Sequence, residues 1–232
     1  MANSEVIHNM AYEKILDVLH LTHVFEENLN VDVIKGRVDY LRKYNKKVYK
    51  DARKQYIYSI ALFTLFVENV SLFSQFYIIM HLNRNKAVMK DCAQQVQYTR
   101  NEEMLHAQVG IKLIQTLREE YPELFDKELE DRIKHECIES LKAESKVIDW
   151  IMDGHTAPGL SADILKSFIA KRMADSMDMI GIDNSEIVYD EGHIKETFWF
   201  DEELFGANMT DFFQKRPVEY AKGKGISADD LF

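Results

Sequence analysis

The sequence predicts an all-α protein, a bundle of long helices, on three observations. Prolines and glycines number only three and nine in 232 residues, too few for a chain of many turns. Apolar residues recur at three- and four-residue spacing along most of the chain. No segment carries a convincing alternation of apolar and polar residues.

A first helix is expected over about residues 4–27, with Ile7, Ala11, Ile15 and Val18 on its apolar side. A second, about 32–49, has a polar face rich in Lys and Arg. A third, about 55–81, is apolar on nearly every side, as a helix surrounded by others would be. The fourth, about 86–120, is amphipathic and stops before Pro122. The fifth, about 126–152, runs into the loop signal "DGHTAPG". Ser161 then offers an N-cap for a sixth helix ending near Gly181. Beyond about residue 183 the pattern fades. From about residue 215, "KRPVEYAKGKGISADDLF" reads as a polar, flexible tail. The expected organisation is a helical domain over 1–214 and a tail over 215–232.

A net charge of −10 argues against a nucleic-acid surface. Cys92 and Cys137 form no CxxC pattern, so two reduced thiols in a cytoplasmic protein are expected. The opening "MANSEVIHNM" has neither the basic nor the apolar region of a secretory signal. The longest apolar run, residues 58–67, is short for a bilayer and abuts Glu68; no membrane is expected.

The chemistry concentrates in a repeated spacing. Glu5-Val-Ile-His8 and Glu103-Met-Leu-His106 are both Glu-x-x-His, and residues three apart share a helix face. One such match means little, because Glu and His are common surface residues. Two on separate long helices carry more weight. In ferritin-like carboxylate-bridged bundles, two helices each supply Glu-x-x-His and two others each supply a single carboxylate. Glu68 stands inside the apolar "ALFTLFVENVSLFSQFYIIM", where a charge needs a partner or a metal. Leu72 and Phe76 follow it at four-residue steps and are expected to wall the metals off from water. Hard carboxylates with two imidazoles suit iron or manganese better than structural zinc. Tyr12 follows His8 by four and shares its face. The other histidines, among them His81 and His193, lack such partners and read as surface or satisfied core residues.

Glu-x-x-His followed four residues later by Tyr resembles the radical-bearing helix of the class I ribonucleotide reductase small subunit. The likeness extends through "TRNEEMLHAQVGIKLI", "GHTAPGLSADILKSFIAKRMADSMDMIGI" and "ETFWFDEELFGANMTDFF". It implies a ferritin-like helical bundle with a dinuclear metal site, iron or alternatively manganese, and a flexible C-terminal tail. Glu5, His8, Glu68, Glu103 and His106 match metal ligands, and Tyr12 matches the tyrosine oxidised to a radical by an oxygen-derived oxidant. Glu102 stands where the family commonly has an Asp on the electron and proton path. Tyr220 matches a relay tyrosine in the tail, and "DDLF" resembles the peptide that docks on the large subunit.

One departure is plain. In that family a further helix pair precedes the radical helix and brings a sixth ligand, Asp or Glu, with a tryptophan on the electron path. Met1 falls where that pair should already have ended, and Trp150 and Trp199 match other places. The resemblance is therefore to the C-terminal portion of a small subunit, whether a split gene product, a truncated paralogue or an engineered fragment. It implies a homo- or hetero-oligomer with an N-terminal small-subunit fragment that supplies the missing carboxylate. A bare apolar side is expected along residues 58–80, where such helices would pack. Two other functions compete: a different ferritin-like di-metal oxidase, which the tail disfavours, and a non-catalytic truncated subunit acting in assembly.

Overall fold

The computed structural model describes the backbone of residues 2–209 and the side chains of residues 4–202; Tyr220 and the tail over 215–232 lie outside them. The described residues form α-helices joined by short turns, with no strand and a single isolated bridge between Ala157 and Leu160. Two units divide the chain, residues 1–197 and 198–232.

Helix α1 spans Ala2–Val18 and α2 Thr22–Asn28. The single helix expected over 4–27 is broken because His20 adopts φ 57°, a left-handed conformation that ends a helix. Helix α3, Asp32–Leu41, tightens into a 3-10 turn over Arg42–Asn45. Helix α4, Ala52–Leu62, starts where the Asp51 side chain accepts from the Arg53 N–H at 2.8 Å. A π-helical segment over Phe63–Ser71 follows, and α5 continues over Phe73–Lys86. Helix α6 is Lys90–Glu120 and α7 Lys127–Met152. Helix α8, Ala162–Met179, carries the expected cap, Ser161 Oγ accepting from the Ile164 N–H at 3.2 Å.

Helix α9, Glu191–Met209, stands where the sequence pattern fades. Its signal is a cap rather than a period: Asp190 Oδ1 accepts from the N–H groups of Gly192 at 2.7 Å and His193 at 3.0 Å. Phe198, Trp199 and Phe200 are consecutive, and such a run hides helical spacing. Within the second unit, the Trp199 and Phe200 rings meet edge-on at 5.7 Å.

The stretch Ala52–Lys86 forms the centre of the first unit. It is long and apolar enough to cross a membrane, longer than the run at 58–67 suggests, but most of it is buried inside the bundle. Leu65, Phe73 and Tyr77 are fully buried, and α6, α7 and α8 all pack against the π segment. A core helix of a soluble protein meets the same length and composition test, because burial by neighbours and burial by lipid select the same residues.

The bare side expected along 58–80 is absent. Tyr58, Leu62, Phe66 and Met80 are all buried. Exposed apolar side chains instead stand on α1, at Val6, Ile7 and Met10, and on α6, at Tyr98, Leu105 and Val109.

A π turn closes i→i+5 bonds and loosens the ladder at its ends. Here α8 takes up the slack. Arg172 Nε donates to the Asn69 carbonyl at 2.9 Å and Arg172 Nη2 to Asn69 Oδ1 at 2.7 Å, with the guanidinium 3.7 Å over the Phe73 ring. The distortion at Glu68 is thus held in place from outside the helix.

Candidate metal centre

Three helical stretches bring the donors together. The first turns of α1 carry Glu5 and His8, the middle of α6 carries Glu103 and His106, and the π segment carries Glu68. Glu5, Glu68, Glu103 and His106 each present one donor atom within 4.8 Å of all the others. His8 joins them from the far side: its Nδ1 lies 3.1 Å from Glu103 Oε1 and 3.5 Å from Glu5 Oε2.

The two histidines point the same nitrogen inward. His106 Nδ1 lies 3.2 Å from Glu5 Oε1, 3.2 Å from Glu68 Oε2 and 3.4 Å from Glu103 Oε2. Its Nε2 is held by Ser4 Oγ at 3.2 Å, and His8 Nε2 by Glu102 Oε2 at 2.6 Å. Ring nitrogens anchored in this way orient the opposite nitrogen, the arrangement found around metal-ligating histidines.

Those distances sort the carboxylates. Glu5 and Glu103 each turn one oxygen toward His8 and the other toward His106, whereas Glu68 faces His106. Two foci result, sharing two carboxylates. The focus beside His106 has a third carboxylate, Glu68, and the focus beside His8 has only Glu102, which occupies the outward nitrogen. The arrangement is lopsided.

Electrostatics favour a cation here. Burial pushes the Glu68 carboxyl up. The Glu103 carboxyl is pushed up to about 8 by burial first, then by Glu68 and Glu5, with His8 opposing. The Glu5 charge raises both, because like charges in a dry site repel, whereas the contact between Glu68 and Glu103 raises Glu103 and lowers Glu68. His8 Nδ1 is buried and makes no hydrogen bond. A buried imidazole nitrogen without a hydrogen bond, beside crowded buried carboxylates, is a donor set that a hard divalent cation relieves. The residues present therefore fit a metal centre. A cleft of about 1030 Å³ along α3, α7 and α8 contains none of these donors.

Tyr12 is half-buried on the same helix, four residues beyond His8. Its hydroxyl is buried without a well-formed hydrogen bond; burial raises its pKa, and the nearby Thr99 hydroxyl and the Glu103 charge act on it more weakly. Ser4, which holds His106 Nε2, carries no signal in the sequence beyond its position. His81 is a buried core residue, its Nε2 2.9 Å from the Pro158 carbonyl.

The apolar wall expected from Leu72 and Phe76 does not form as a pair. Leu72 is 36% exposed, while Phe76 is buried and meets Phe73 at 5.6 Å. The expectation assumed an undistorted α-helix after Glu68. The π segment adds a residue per turn and rotates the side chains beyond it.

The family model described as ribonucleotide reductase, small chain, matches residues 1–186. A probable ribonucleoside-diphosphate reductase small subunit of Invertebrate iridescent virus 3 is 25% identical over 233 residues, covering 94% of this chain and 61% of its own length. The ribonucleoside-diphosphate reductase subunit beta of Treponema pallidum is 23% identical over 242 residues, covering 99% of this chain and 66% of its own. The chain thus spans less than two thirds of either relative. A crystal structure of a candidate class I ribonucleotide reductase from Bacillus halodurans shares the fold, with a TM-score of 0.73 and 22% identity, covering 85% of this chain and 70% of that one. The two Glu-x-x-His helices that meet on Glu68 lie wholly within the matched residues 1–186, and the chain belongs to the ribonucleotide reductase small-chain family.

Proposed function

We propose that this chain houses a dinuclear iron centre, or alternatively a manganese one, and a tyrosyl radical that a separate large subunit uses to reduce ribonucleotides to deoxyribonucleotides. The observation that carries the reading is the shared placement of Glu5 and Glu103, each offering one oxygen to the His8 side and one to the His106 side. Two ions held there would supply oxidising power drawn from oxygen.

The chain's own groups then have defined tasks. Glu5 and Glu103 would serve both metal positions, Glu68 and His106 would complete one, and His8 would contribute to the other. Glu102 holds the His8 proton at Nε2 and keeps Nδ1 free for metal. Tyr12 is a protonated phenol at neutral pH, burial raises its pKa further, and the same burial would shield an oxidised phenol from solvent. Glu102, half-exposed on the cluster's outer side, is assigned to the proton-coupled electron path, its carboxylate carrying the proton. Tyr220 and the terminal "DDLF", outside the described residues, are assigned relay and docking on the large subunit. The cell compartment that fits these tasks is the cytoplasm.

A sixth ligand belongs beside His8. We assign it to a carboxylate on an N-terminal small-subunit fragment, whose helix covers the apolar faces of α1 and α6 around Glu102. Val6, Met10, Leu105 and Val109 suit the apolar side of an amphipathic helix.

Ferrous iron and oxygen added to the chain test the reading by electron paramagnetic resonance. A tyrosyl signal is expected in wild type and lost in Tyr12→Phe, with metal content unchanged. Metal without a radical indicates a different di-metal oxidase; neither indicates a non-catalytic assembly subunit. A signal unchanged in Tyr12→Phe removes Tyr12 from the radical role.

A further inference from the structure

We propose that Gly110 and Thr64 set the separation of the metal-binding side chains, by letting α6 and the π segment touch one turn away from the donors. The proposal rests on the metal centre argued above.

Gly110 follows His106 by four on α6, and Thr64 precedes Glu68 by four in the π segment. The two stretches therefore meet at two levels. At one, His106 Nδ1 and Glu68 Oε2 are 3.2 Å apart. At the other, a Cβ placed on Gly110 would lie 2.0 Å from Thr64 Oγ1, 2.8 Å from Cγ2 and 2.9 Å from Thr64 Cβ itself. No rotamer of Thr64 relieves the last contact, because Cβ does not move when χ1 turns. Both residues are buried, so neither can swing out to solvent.

Magnitudes decide what an added carbon does. Carbon atoms pack at roughly 3.5–4.0 Å, so the two backbones must part by about 1 Å at this level. Metal–donor distances are set to within roughly 0.2 Å. A shift several times that tolerance, one turn from His106 and Glu68, moves donors out of reach of a shared ion. Glycine is also among the least favourable residues for a helix interior, so its place in the middle of α6 calls for a packing reason. The approach to Thr64 is that reason.

Cobalt(II) titration of the full chain, followed by its visible absorption and by chelator competition, reads the spacing without any turnover. Gly110→Ala is expected to keep its far-UV helicity and lose at least about tenfold in cobalt affinity, the scale of losses around metal ligands. The double variant G110A/T64G, which moves the side-chain carbon across the contact, is expected to recover most of that loss. Ala174→Leu, an overpacking change in buried α8 sequence, is expected to lower the melting temperature without weakening cobalt binding. Should G110A not fold, Thr64→Gly alone carries the test, since loosening the contact should weaken binding. Wild-type affinity in G110A, no recovery in the double variant, or unchanged binding in the folded T64G chain overturns the inference while leaving the metal centre standing. No cobalt uptake by wild type overturns the centre, and this inference with it.

Discussion

His8 Nε2 donates to Glu102 Oε2 at 2.6 Å, and that bond leaves Nδ1 as the nitrogen facing Glu5 and Glu103. A carboxylate in this position can only accept, so the ring proton is fixed on the outer nitrogen and the inner lone pair is kept for a metal. Half-exposed Glu102 thus acts on the cluster without facing it.

Glu102→Ala should weaken metal binding on the His8 side by roughly 10–100-fold, the usual cost of losing such a partner. Binding beside His106, whose outer nitrogen is held by Ser4, should change little. A cobalt titration that loses one of two binding phases is the expected result; loss of both, or of neither, contradicts this division.

The metal-free chain should lose stability as pH rises. The folded Glu103 carboxyl keeps its proton up to about 8, whereas the unfolded chain loses it in the ordinary carboxylate range. Between those limits the folded form binds more protons, so stability is full at the acid end and falls through about pH 8. A drop of about 5 °C in melting temperature between roughly pH 5 and 8 corresponds to a loss on the order of 2 kcal/mol after allowance for solvent screening. Bound metal should reverse the slope, because the carboxylates must be deprotonated to ligate. Thermal scans with and without metal check both signs.

Glu68→Gln separates stability from metal binding. The neutral amide keeps the shape of a side chain that is only 2% exposed and removes the burden of burying a charge. The metal-free melting temperature should rise by about 3 °C, or roughly 1 kcal/mol. Metal beside His106 should be lost at the same time. A variant that is less stable without metal would show that the Glu68 carboxylate is supported by its surroundings rather than by an ion.

The lopsided ligand set predicts two unequal metal positions. The His106 side, with Glu68, should bind tightly and the His8 side weakly. Added acetate, a free carboxylate, should tighten the weak position selectively by mass action on the liganded form. Equal affinities without acetate would place a further carboxylate ligand beside His8 within this chain.

Much of the arrangement was legible in the residues. Glu5 and His8, and Glu103 and His106, must share faces because helical geometry puts three-apart residues on one side. The end of α7 and the start of α8 were marked by "DGHTAPG" and Ser161, local signals that need no tertiary contact. Glu68 stood out because a charge inside an apolar run has few explanations.

Other features were settled only by packing. Which carboxylates serve both foci and which serves one depends on how α1, α6 and the π segment are set against each other, and a spacing rule within one helix carries no such information. The widened turn at Phe63–Ser71 has no sequence signature; it persists because Arg172 from α8 holds Asn69. That turn put Leu72 at the surface rather than in a wall. The same holds for the exposed apolar side chains, several of which stand on α1 and α6, whereas along 58–80 most are covered. An apolar residue states that it is stabilised by burial, but only the neighbours brought up by the fold determine whether it is buried.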